Sequence, residues 1–105
     1  MSDQLEVTLS TGIFIPNVNA VRVRHRAGLV YLFVDDCLVE MRTPIAHKTG
    51  FALVCQAGEA MENEFIILRI NGDDLNFPTH NARQIGAALL RKADDADDFQ
   101  QQMTH

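Results

Sequence analysis

The chain has 105 residues, of which 47% are hydrophobic and 22% are charged, so its length and composition predict one folded domain over residues 1–105. No apolar run reaches the roughly 18 residues that a membrane helix needs, and two cysteines are too few for a disulfide scaffold. The formal charge of −5 makes the chain a poor general binder of nucleic acid. The first residues lack the basic and apolar stretches of a secretory signal, which favours the cytosol.

The N-terminal part has the pattern of a series of short strands. Apolar and polar residues alternate over residues 5–9 and over residues 21–24, as is typical of half-buried strands. Residues 29–34 are apolar on both faces, which predicts a central strand covered on each side. An Asp-Asp turn then leads into a further strand over residues 37–42.

Two helices are predicted, each after a hairpin. Thr43 is a good cap for the first helix, Pro44 suits its first position, and Gly58 is a plausible stop. The next strand ends at Asn71-Gly72, which is typical of a tight hairpin turn because both residues readily take positive φ. The second helix follows this hairpin.

Residues 29–60 align with residues 65–96, placing hairpin on hairpin, the cap Thr43 on Thr79, and Gly50 on Gly86. The alignment predicts an α+β fold of two tandem β-hairpin–helix repeats plus N-terminal strands. We expect a mainly antiparallel sheet with both helices on one face. The two glycines, which have no Cβ, would let the helices approach closely.

One candidate contact surface is apolar. The open face of such a sheet would present Tyr31, Phe33 and Ile67. Large apolar patches are uncommon on monomers, so these residues favour a protein partner or a homodimer. The alternative is that the N-terminal segment folds back over them.

A second candidate surface is basic. Arg22, Arg24 and Arg26 alternate along one strand and therefore share one of its faces. Such a stripe could bind phosphate groups or an acidic protein, because the guanidinium fork suits both. The simpler interpretation is a solvated strand face that protects the sheet edge from aggregation.

The remaining polar residues indicate no enzyme. No phosphate-binding loop, dinucleotide fingerprint or metal-binding spacing is present, so no cofactor and no metal are expected. Cys37 and Cys55 are expected to be small buried residues. The acidic cluster over residues 94–98 predicts a solvated helix end, or a segment that docks on the arginine stripe.

The leading hypothesis is a small acidic, non-enzymatic protein-binding or regulatory domain that forms a homodimer. This hypothesis extends to a chain that is encoded by a phage or mobile element and that acts by occluding a host protein. The first alternative is a nucleic-acid-associated regulator that uses Arg22, Arg24 and Arg26. The second is a small-ligand-binding module at a dimer interface.

Overall fold

The computed structural model describes residues 4–103, with side chains described as far as Asp98. Within this range the chain forms six strands and two helices, which confirms the predicted α+β class. In chain order the elements are β1 (Leu5–Thr11), β2 (Val21–Arg26), β3 (Leu29–Val34), β4 (Cys37–Arg42), α1 (Thr43–Glu59), β5 (Glu64–Ile70), β6 (Asp73–Phe77) and α2 (Thr79–Met103).

The strands form two antiparallel sheets of three strands each, where one sheet was predicted. The strand orders are β2-β3-β4 and β1-β5-β6. In each sheet a hairpin supplies two strands, and a strand from the N-terminal part pairs with the first strand of that hairpin. The β1–β5 pairing sets Leu5 opposite Ile70, residues too far apart in sequence for any local pattern to link them. The tandem repeat itself stays a prediction.

Two hairpin turns anchor the N-terminal strand of each sheet. Asp35 and Asn71 both have positive φ, 51° and 52°. The Asp35 carboxylate accepts hydrogen bonds from the N–H groups of Asn19 and Ala20, just before β2. The Asn71 side-chain oxygen accepts one from the N–H of Gln4, just before β1. The turn residues therefore fix where β1 and β2 begin.

The helices cross in direct contact at two glycines, as the sequence predicts. A Cβ built on Gly50 would lie 2.7 Å from the carbonyl oxygen of Gly86, and the reverse distance is also 2.7 Å. Beyond the crossing, α1 packs mainly on β1, and α2 packs mainly on β2 and β3. The helix α1 follows the β3–β4 hairpin but packs mainly on the β1-β5-β6 sheet. The helix α2 follows the β5–β6 hairpin but packs mainly on the β2-β3-β4 sheet.

The helix boundaries differ slightly from the sequence prediction. Arg42, not Thr43, occupies the cap position of α1, and it makes no side-chain cap hydrogen bond. Pro44 lies in the first turn, where its missing N–H removes one of the groups that a cap would satisfy. Gly58 lies inside α1, which continues to Glu59.

One hydrophobic core joins the two sheets through the helices. It is formed by the inner faces of both sheets and the facing sides of α1 and α2. Its largest fully buried side chains are Val30, Leu32, Val39, Leu53, Ile66, Leu68 and Leu89. Because strand side chains alternate, the residues between these core positions form the two outer sheet faces.

Candidate binding surface

The outer face of the β2-β3-β4 sheet combines arginine and aromatic side chains. The strand register sets Arg24 opposite Tyr31, and Tyr31 opposite Glu40. A row with arginine, phenylalanine and leucine lies on one side, and a row with leucine between two arginines lies on the other. We call this surface the arginine face, and its residues are Arg22, Arg24, Arg26, Leu29, Tyr31, Phe33, Leu38, Glu40 and Arg42.

The arginines of this face have no carboxylate partner. In the described part of the chain, no Asp or Glu oxygen lies within 4.0 Å of any of the four guanidinium groups. Arg22 instead lies over the ring of Phe33, 5.6 Å from its centroid. Four of the nine basic residues of an acidic chain therefore share one surface with a single glutamate.

The outer face of the β1-β5-β6 sheet is different, because its arginine is paired. The Arg69 Nε lies 2.6 Å from the Asp74 carboxylate, and Glu6 lies 3.8 Å from the same guanidinium group. The hydrogen bond with Arg69 lowers the pKa of the Asp74 carboxyl below its ordinary value, and the same bond raises the pKa of Arg69. The guanidinium group of Arg69 is thus already partnered by two carboxylates of its own chain.

The structure brings together five of the six predicted contact residues. Tyr31 and Phe33 are half-buried on the central strand, beside the stripe Arg22, Arg24 and Arg26. The sequence alone predicts two separate surfaces for these two sets. The two-residue turn between β2 and β3 was the missed signal, because it fixes which residues face each other and pairs Arg24 with Tyr31. The residues of β4 on this face, Leu38, Glu40 and Arg42, were also missed.

Ile67 lies on the other sheet, away from the arginine face. Its cross-strand neighbours are Thr8 and Asn76. Nearby, the ring of Phe65 packs edge-on against Phe14, with centroids 5.4 Å apart, and Phe65 is only 8% exposed. The segment after β1 therefore folds back over the Phe65 part of this outer face; a cover over Tyr31, Phe33 and Ile67 stays a prediction.

The Asn17 side chain holds that segment on the edge strand β6. Its Nδ2 donates to the Asp74 carbonyl oxygen, and its Oδ1 accepts from the Asn76 N–H, both at 2.8 Å. The Asn76 side chain in turn donates to the Ile15 carbonyl oxygen at 2.9 Å. The Asn17 amide thus satisfies two backbone groups of β6, as a neighbouring strand would, and covers part of this sheet edge.

The acidic cluster and the cysteines take other places. Asp94 and Asp97 lie beside His47 of α1, at 3.4 and 3.7 Å. Neither of the two forms an ion pair with the arginine face. Cys37 is exposed at the start of β4 and Cys55 is half-buried, so the prediction of buried cysteines is wrong. In the described residues, no three His, Cys, Asp or Glu side chains are grouped to hold a metal ion.

No family model, curated protein or solved structure matches the chain. Neither helix, over the range that the structure describes, is long and apolar enough to cross a membrane.

Proposed function

We propose that this chain is a non-enzymatic protein-binding domain whose arginine face docks on an acidic protein surface. The observation that carries the proposal is a set of four arginines around Tyr31 and Phe33 that have no carboxylate partner among the described residues. Arginine and aromatic side chains are enriched at protein interfaces, where they form many of the strongest contacts. The guanidinium fork also matches the two oxygens of a carboxylate.

Two features favour protein over nucleic acid as the partner. Binding of single strands relies on exposed aromatic rings on which bases stack, but Arg22 already lies over the ring of Phe33. Glu40 lies beside Tyr31, where it would repel a phosphate chain. An acidic protein surface with apolar groups between its carboxylates suits this face better.

The proposed action is occlusion. A domain that covers an acidic surface of its partner with a preformed sheet face blocks other contacts there and needs no chemistry of its own. The proposal includes a cytosolic location, which is tested by fractionating the native cell. A phage or mobile-element origin stays a prediction from the sequence.

The test is capture of partners from native lysate by the tagged chain, with and without nuclease. We compare the wild type with the double variant R24E/R26E and with R83E, which reverses an exposed arginine on α2 outside the arginine face. We expect a protein that survives nuclease, is kept by R83E, and binds R24E/R26E at least about tenfold more weakly. The substituted strand residues are exposed, so circular dichroism should show folded variants.

Two results would overturn this proposal. Capture lost after nuclease, and falling steeply as salt rises, would assign the face to nucleic acid. A protein that binds R24E/R26E as tightly as the wild type would show that another surface carries the interaction.

A homodimer stays a separate prediction. A symmetric dimer through the arginine face would bring two sets of like charges together, so self-association needs another surface. Two apolar side chains of α1 are exposed to solvent, Ile45 at 41% and Phe51 at 64%. Sedimentation velocity across concentration, with F51S as the matched variant, decides whether a dimer forms there. The alternative hypothesis of a small-ligand-binding module at a dimer interface requires that such a dimer forms.

A further inference from the structure

A groove of about 630 Å³ lies between α2, β2 and the segment over residues 14–20. Its volume falls within the range of roughly 300–1,000 Å³ that is usual for small-molecule sites. None of its lining residues belongs to the arginine face. Its apolar lining residues include Val18, Val21, Val23, Ile85 and Ala88.

The polar residues that line the groove are four amides and two cations. Asn76, Asn81 and Gln84 lie near the start of α2 and Asn19 lies just before β2, while Arg91 and Lys92 lie further along the helix. Lys92 is about 16 Å along the helix axis from Asn81. Along α2 the lining of the groove therefore changes from amides, through Ile85 and Ala88, to two cations.

The two cations have no carboxylate partner in the described residues. No Asp or Glu oxygen lies within 4.0 Å of Arg91 or Lys92. Lys92 is half-buried and Arg91 is exposed, so both side chains are accessible from the groove. An anionic group bound between them would supply the charge partner that neither has in the described residues.

We propose that the groove binds an amphipathic organic carboxylate. Its carboxylate lies between Arg91 and Lys92, and its apolar body lies along Val21, Val23 and Ile85. A polyphosphate suits the site less well, because the cations lie in the middle of a helix, whose backbone N–H groups are already bonded. This inference does not depend on the proposed function, since the two surfaces share no residue.

The test is an NMR titration of the isotopically labelled full chain with decanoate, decanol and decylamine, three probes with the same chain length and different head groups. We expect decanoate to shift the amide signals of the groove and to bind about tenfold more tightly than decanol. We expect decylamine to bind most weakly. All three are used below the concentration at which they form micelles.

Variants then separate the head group from the apolar body. The double variant R91Q/K92Q should weaken decanoate about three- to tenfold and leave decanol unchanged, because only the charge interaction is removed. R83Q is the matched control, since Arg83 is on the same helix outside the groove. A88F should fill the groove and abolish binding of both decanoate and decanol.

Three outcomes would overturn the inference. Signal shifts spread over the exposed apolar residues, with none in the groove, would indicate non-specific binding. Equal affinity for decanoate and decanol would remove the assigned role of the cations. Unchanged binding by folded A88F would place the site elsewhere.

Discussion

At the scale of single residues, the two outer sheet faces differ in how their arginines are partnered. Arg69 is held between Asp74 and Glu6, whereas the arginine face has four guanidinium groups and one glutamate. An arginine whose N–H groups already bond a carboxylate of its own chain has fewer free donors for another molecule. This contrast is why we propose the arginine face, and not the outer face of the β1-β5-β6 sheet, as the binding surface.

The Arg69–Asp74 pair predicts a pH effect with a definite sign. Because the pKa of the Asp74 carboxyl is lowered from its ordinary value of 3.8, its ionised form stabilises the folded chain above that pH. This contribution is lost as the pH falls through the lower folded pKa. We expect an NMR titration to place the Asp74 midpoint below 3.8, and R69Q to move it upward. R83Q, on α2, should leave the midpoint in place; equal midpoints in R69Q and wild type would contradict the assigned cause.

At the scale of elements, the crossing of α1 and α2 is set by glycine. Alanine at an ordinary helix position is better than glycine by about 1 kcal/mol. At Gly50 and Gly86, however, the added methyl would meet the carbonyl oxygen of the other helix. Gly58 is also in α1, and a Cβ there would meet nothing within 4 Å. The same substitution should therefore have opposite effects within one helix.

We expect G50A and G86A each to lower the free energy of unfolding by about 1–3 kcal/mol, because the helices must separate to admit the methyl group. G58A should raise it by up to about 1 kcal/mol. Urea unfolding, followed by circular dichroism, measures all three. If G50A were as stable as G58A, the close crossing would be wrong.

At the scale of the whole molecule, the sequence predicts mainly those features of the fold that depend on residues close together in the chain. The Asn71-Gly72 turn and the two helices follow from local patterns, and the glycine pair Gly50 and Gly86 follows from the alignment of residues 29–60 with residues 65–96. The division into two sheets does not, because β1 reaches β5 only across most of the chain. Packing of each helix on the sheet of the other hairpin is likewise set by distant contacts.

The arginine face was likewise predictable only where it depends on residues close together in the sequence. Arg22, Arg24 and Arg26 share a strand, so their common face was predictable from alternation alone. Their placement beside Tyr31 required the register of two strands, which the intervening turn encodes. The groove was not predictable, because its walls come from three separate parts of the chain.

Because the two sheets share one core, we expect them to unfold cooperatively. Leu32 on β3 and Leu68 on β5 belong to different sheets, yet both are fully buried in the same cluster with Leu53 of α1. Loss of the helix layer therefore uncovers both sheets at once. Replacing Leu53 by Ala should cost about 2–5 kcal/mol and lower the protection of both central strands equally.

Native-state hydrogen exchange measures this coupling at the amides of Leu32 and Leu68, each on a central strand bonded from both sides. L38A is the control, since Leu38 is 53% exposed and its truncation should change protection little. Loss of protection at only one of the two amides in L53A would mean that each sheet unfolds on its own with its neighbouring helix. Equal loss would mean that the helix pair is the structural centre through which the two sheets form one cooperative unit.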